Sequence, residues 1–387
     1  MTKMTSFLDH SIDPAMRLLI AAIQVNGAPG AFERSVSDMK LIRAFELARQ
    51  HGIYALFYKV MRGQESALSI NAIVERHTNA YLGNLGRNMQ VTQKLLKLLN
   101  LLAKNGIQAI PFKGPVIAVQ AYGDIGLRSF CDLDLLIQSK DFPQVYELME
   151  STEYQSIKPM IARMKPVWRR TRRNFEFQGG NLFLDFHQQV TTGPRFLRLR
   201  INWDQLSGVE LNGQTIPCLN IEDTILMLAM HGTHHGWNLL KYVADFSYLV
   251  ARQKDEIDWQ KLVRKARRMG VLRMVLIGML LGRTFCGLEI PLMLNGGILR
   301  DKKLSARVTH FQAKVLEERK SGLIPQLAFP NALDSRWFKL RYLAYYLFNP
   351  TNLDVLAVRL PMVLYPLYFI IRPVRLLSNL ARGRELT

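Results

Sequence analysis

Apolar residues recur at helical spacing in Met16, Leu19, Ile20 and Ile23 and again in Leu41, Phe45, Leu47 and Tyr54, so residues 14–104 read as helical. The stretch 70–102 predicts one long helix or a pair, and Asn105-Gly106 supplies its stop. From 107 to 190 the character changes. Residues 107–112, 131–138, 174–178 and 182–188 are β-type runs, the last two split by the hairpin signal Gly179-Gly180-Asn181. A short helix is expected over 116–122, started by Gly114-Pro115, and another over 141–151, opened by an acidic N-cap. Helical spacing returns after Asn220, which caps a helix running to about His231. Further helices are expected over 239–252, 258–269, 271–285 and 304–320.

Helices and strands therefore alternate around a small mixed sheet, with helical regions on both sides. The expected class is α+β with an α/β-type core. The expected division is a helical region 1–104, a sheet-bearing core 105–219, a helical domain 220–322 and a basic, apolar extension 323–387. There is no fixed-period repeat and no low-complexity tract.

Composition narrows this little, but charge does more. Hydrophobic residues make up 49% and charged residues 21% of the 387 positions, a globular balance and not a disordered one. The net charge of +20 favours anionic partners: a nucleoside triphosphate, a nucleic acid or an anionic membrane face. Cys131, Cys218 and Cys286 are far apart and form no CxxC pattern, which argues against a disulfide framework or a cysteine zinc site and for a reducing, cytoplasmic setting. Asp9 and Asp13 precede the short apolar run 18–25, unlike a signal peptide. No run reaches the roughly 18 apolar residues of a membrane-spanning helix. The nearest, 360–371, holds two prolines between Arg359 and Arg372. It suits either a buried element or a segment lying at the inner face of a membrane.

The chemistry concentrates at Asp132-Leu133-Asp134-Leu135-Leu136-Ile137. Residues i and i+2 of a strand share a face, so two carboxylates stand side by side in an apolar run. That is costly unless a cation sits with them, and a divalent metal such as Mg²⁺ suits carboxylate oxygens. Asp185, in the run Leu184-Asp185-Phe186-His187, shares a face with His187. On spacing it is either a third ligand or proton acceptor, or an edge-strand charge. Lys113-Gly114, at a strand end before a helix, would set backbone N–H groups and a point charge near a triphosphate. His231 and His235 share a helix face, with Asp245 near them on a continued helix. No glutamate follows His231 to complete a zinc HExxH pattern. A polar stripe packing the helical domain on the sheet is the plainer reading, with His235 or Asp245 as cleft-lining candidates. Lys158, Arg163, Lys165, Arg169, Arg170, Arg172 and Arg173, with Trp168 among them, form an acid-free run that is either a solvated face or a rim for an anion.

Lys113-Gly114, Tyr122-Gly123-Asp124, Gly126-Leu127-Arg128, Asp132-Leu133-Asp134, Asp185-Phe186-His187 and His231-Gly232-Thr233-His234-His235-Gly236-Trp237 together resemble the bacterial uncharacterised nucleotidyltransferase family of the DNA polymerase β-like superfamily. The resemblance runs over roughly residues 95–295. It implies transfer of a nucleoside monophosphate from a nucleoside triphosphate to an acceptor (small molecule, glycan, protein or RNA) with Mg²⁺ or Mn²⁺. It implies Asp132, Asp134 and Asp185 as catalytic metal ligands, and Lys113, Gly114, Arg128 and Ser129 as the phosphate grip. His187, His231, His235 and Asp245 would line the cleft. One departure stands out: Pro115 follows Gly114 and has no N–H to offer a phosphate. That motivates an alternative, a non-catalytic nucleotide-binding or membrane-surface assembly protein of a cell-envelope or polysaccharide pathway.

Overall fold

The computed structural model describes residues 12–25, 36–64, 71–157, 174–191, 194–317 and 328–381. The fold is α+β. Five strands, β1 (Ala109–Pro111), β2 (Asp132–Ile137), β3 (Gln155–Ser156), β4 (Asn174–Gly179) and β5 (Leu182–His187), form one sheet in the order β1-β2-β5-β4-β3. Only the central pair β2–β5 is parallel. A parallel pair needs a crossover, and the helix Phe142–Glu150 with β3 and β4 lies in that connection. The β4–β5 hairpin forms where Gly180-Asn181 predicts it.

Strand alternation sorts the sheet into two faces. Leu133, Leu135 and Ile137 of β2, Leu184 and Phe186 of β5 and Phe175 and Phe177 of β4 are buried in one apolar layer with the helices Thr78–Lys104 and Phe142–Glu150. The opposite face sends Ile110, Phe112 and Leu136 into a larger core. That core joins the helices Pro14–Ala22, Asp38–Gln50 and Tyr54–Arg62 to the helices Ile221–His234, Leu240–Arg252, Trp259–Met269, Leu272–Cys286 and Leu304–Leu316. Asp134, Asp185 and His187 belong to this second face, at the margin of its core.

Of the two forms expected for the stretch 70–102, it takes the pair of helices, Asn71–Arg76 and Thr78–Lys104, broken at His77. Other elements differ from their expected form. Asp141 occupies the N-cap of Phe142–Glu150 but makes no side-chain cap bond, whereas Asn220 Oδ1 accepts the Asp223 N–H at 2.9 Å and the helix it caps continues to His234. That helix does not go on to Asp245. The chain turns back through Trp237, which takes φ 50° and lays its buried ring against Gly232, where a Cβ would stand 2.7 Å from the ring. Asp245 thus sits on the separate helix Leu240–Arg252. Also unexpected are the hairpin of β6 (Ser207–Leu211) and β7 (Gln214–Cys218), the helix Leu292–Arg300 and the helices Arg336–Phe348, Asn352–Ala357 and Tyr368–Ala381. The basic run from Lys158 to Arg173 lies outside the described residues. Among those residues no helix is long and apolar enough to cross a membrane.

Candidate metal and nucleotide site

The parallel register of β2 and β5 pairs Asp134 with Asp185, and Leu136 with His187. Both acids and the imidazole therefore emerge from neighbouring strands on one face, in the middle of the sheet. Asp185 is not an edge-strand charge, because β5 is flanked by β2 and β4. Ligand atoms of Asp134, Asp185 and His187 all lie within 4.8 Å of one another. A single ring nitrogen, His187 Nε2, stands 3.0 Å from Asp134 Oδ1 and 3.1 Å from Asp185 Oδ2. Phe112 packs edge-on against that imidazole, with ring centroids 5.2 Å apart. Asn174 Nδ2 donates to both Asp185 oxygens, at 3.1 and 3.3 Å.

Two cations balance the acids. Lys113 Nζ donates to Asp134 Oδ1 at 2.9 Å. Burial alone would raise the Asp134 carboxyl, but Lys113 and His187 outweigh it and hold the group far below the usual carboxylate range. Burial likewise pulls the His187 ring down, yet its hydrogen bonds to Asp134 and Asp185 push it up to about 9. The ring is therefore a cation bridging two carboxylates at neutral pH. Asp134 Oδ2 remains: it is buried and accepts no hydrogen bond among the described residues. A buried carboxylate oxygen without a partner, next to a second carboxylate, fits a divalent cation.

Asp132 lies on the same face two residues earlier, but it is exposed and outside this cluster. Gly114 stands beside it. Its φ of 53° is a left-handed value that L side chains avoid, and an added Cβ would come 3.3 Å from the Asp132 carbonyl oxygen. Gly114 caps the helix Pro115–Tyr122, whose first residue Pro115 carries no N–H.

Arg128 is engaged elsewhere. It is buried, and its Nε donates to Asp245 Oδ1 and Oδ2 at 3.1 and 3.0 Å, with Nη1 reaching the Gly114 carbonyl at 3.4 Å. Tyr122 completes the group by donating to Asp245 Oδ1 at 2.8 Å. Asn88 Nδ2 donates to the carbonyls of Ile125 and Arg128 at 2.7 and 2.8 Å, so the long helix fixes the loop that carries Arg128. Ser129 is half-buried, and its carbonyl accepts from Lys241 Nζ at 3.0 Å. Burial, then the Arg128 charge, lowers Lys241 to about 8. Neither Asn88 nor Lys241 carries a sequence signal; each is recognisable only from the loop it holds.

The end of the helix Ile221–His234 completes the surroundings. His231 and His235 rings lie 4.5 Å apart, and His235 stacks on Tyr242 at 5.1 Å. Burial is the largest cause keeping His231, His234 and His235 neutral, and the Lys113 charge lowers all three further. The same ammonium acts on all three rings, so the end of this helix lies within electrostatic reach of Lys113. Lys113, Asp134, Asp185 and His187 thus form one cluster, His231 and His235 border it, and Arg128 and Asp245 form a buried pair behind it.

A family model described as uncharacterised nucleotidyltransferase matches residues 38–287. No curated protein matches the chain.

Proposed function

Since the chain belongs to the uncharacterised nucleotidyltransferase family, we propose that it moves a nucleoside monophosphate from a nucleoside triphosphate to an acceptor. The observation that carries this reading is the register pairing of Asp134 with Asp185, with Asp134 Oδ2 buried and unpartnered among the described residues while Oδ1 meets Lys113 and His187. Asp134 and Asp185 would hold a divalent cation, Mg²⁺ or Mn²⁺. The carboxylate oxygens suit either ion, and Asp132 would contribute from the solvent side. Bound there, the cation supplies charge neutralisation for the phosphates and a lowered pKa for an attacking hydroxyl. The chain's own residues do the rest. Lys113, held 2.9 Å from Asp134 Oδ1, would offer a point charge to a phosphate oxygen. Phe112 and Asn174 hold His187 and Asp185 in position. Arg128, tied to Asp245, acts as a positioning residue for Gly114 and not as the phosphate grip. The acceptor is a small molecule, glycan, protein or RNA, and the C-terminal segment brings the site to an anionic membrane face.

The double substitution Asp132→Ala with Asp134→Ala is expected to lower transfer of labelled nucleotide by about a thousandfold or more, the scale of removing a charge-stabilising group. Wild-type transfer by that protein would sink the assignment. Pro115 and the commitment of Arg128 to Asp245 favour a second reading, nucleotide binding without turnover. Calorimetry that registers triphosphate binding, alongside no transfer across a broad acceptor panel, would select it.

A further inference from the structure

The last described segment has an unusual surface. Of the twenty-four exposed large hydrophobic side chains among the described residues, fifteen lie between 336 and 381. Isolated exposed apolar residues are ordinary, but a contiguous set marks an interaction surface. The helix Arg336–Phe348 has no buried residue, and Trp337, Leu340 and Leu347 line one side of it. The helix Tyr368–Ala381 is two-sided. Tyr368, Arg372 and Leu376 point inward, while Ile370, Val374 and Leu377, spaced i, i+4 and i+7, are exposed. Between the helices Val363 is 88% exposed, flanked by Pro361 and Pro366.

Charge identifies the occupant. Asp354 is the one acid between 336 and 381. It is fully buried, paired with Arg372 at 3.1 Å and Arg375 at 2.6 Å. The bases Arg336, Arg341 and Arg359 are exposed. An apolar face edged by cations, with no acid on its surface and no spanning helix, has the make-up of an element that lies in a bilayer interface. A second copy of this chain would set like charges against each other, since the whole chain carries +20.

We propose that the face formed by the helices Arg336–Phe348 and Tyr368–Ala381 and the segment between them docks on an anionic lipid bilayer. This deepens the membrane-adjacent part of the function proposed above by naming the face and the lipid charge. The helix Arg336–Phe348 is tied to the site side of the molecule. Phe329 stacks on Tyr342 at 5.2 Å and meets the His234 ring at 6.2 Å. Docking would therefore hold the carboxylate site near the lipid surface.

The test is co-sedimentation of the full chain, without nucleotide, with vesicles of equal parts phosphatidylglycerol and phosphatidylcholine. Wild type is expected in the vesicle fraction, and much less on pure phosphatidylcholine. Val363→Glu with Ile370→Glu is expected to lower partitioning by about tenfold or more. Arg359→Gln, which leaves the apolar face intact, is expected to lower it about fivefold at low salt. Three results would overturn the proposal: wild type absent from the anionic vesicles, both variants binding like wild type, or a vesicle-free dimer that the Val363→Glu, Ile370→Glu protein dissolves into monomers. Failure here with intact nucleotide transfer in solution would remove the docking face alone. Loss of transfer with intact vesicle binding would remove the transferase reading alone.

Discussion

At the scale of single residues, the site depends on a division between charges that are free to meet a ligand and charges already spent. Asp134 has one oxygen engaged and one buried without a partner, so it has capacity left. Arg128 has little, because its guanidinium faces Asp245 and the Gly114 carbonyl inside the protein. The family resemblance implies a phosphate ligand at this position. The partner of Arg128 is 117 residues away, on the helix Leu240–Arg252, and no local pattern announces that pairing. Removing one member of a buried ion pair leaves the other uncompensated, which costs about 3–5 kcal/mol. Arg128→Ala should lower stability by that amount in urea unfolding. An unchanged midpoint together with weakened triphosphate binding would return Arg128 to the phosphate grip. The same reasoning explains why His187 reads only as a cleft-lining candidate from sequence. Its place beside Asp134 comes from a parallel register that alternation cannot supply.

At the scale of elements, legibility followed the strength of the local signal. The runs around Asp132 and Asp185 and the Gly180-Asn181 turn were readable because an apolar alternation and a turn agreed there. The β6–β7 hairpin carried an equally good cue in Asn212-Gly213, both with positive φ (49° and 74°). Its strands, however, are only five residues long and polar at most positions, so the inward alternation rests on two residues in each, Val209 and Leu211, and Ile216 and Cys218. The helix Leu240–Arg252 was legible in extent but not in role. Its first turn is fastened to the site loop: Lys241 Nζ reaches the Ser129 carbonyl, and the Lys241 N–H donates to the His51 carbonyl at 3.1 Å. Burial lowers the Lys241 ammonium from 10.5 to about 8. Between those values the folded protein binds fewer protons than the unfolded chain, so stability rises with pH across that window. The cost of the buried charge is fully present below about pH 8. Relative to Lys241→Met, the wild type should gain on the order of 1–3 kcal/mol as pH climbs through this range, measured by denaturant unfolding at each pH. A constant difference between the two proteins would show that Lys241 does not bear that cost.

At the scale of the whole molecule, the two cores meet at the β2–β5 pair, and the carboxylate cluster sits on that seam. Helices from before and after the sheet share the larger core, so a cation held at the seam would brace residues far apart in sequence. A ligand that binds only the folded state stabilises it by mass action, by about 2.7 kcal/mol at a hundred times its dissociation constant. Mn²⁺ added to the full chain should therefore raise the thermal midpoint by several degrees. Chelation should reverse the rise. Asp134→Asn and Asp185→Asn should each abolish most of it, whereas Asp354→Asn, which removes a buried acid of the C-terminal segment, should leave it intact. The comparison separates a site from a bulk effect: a protein of net charge +20 gains nothing from general cation screening that two single asparagine substitutions on one sheet face could remove. Equal shifts in wild type and Asp134→Asn would place the cation elsewhere and leave the Asp134–His187–Asp185 cluster as a closed ion-pair network inside the protein.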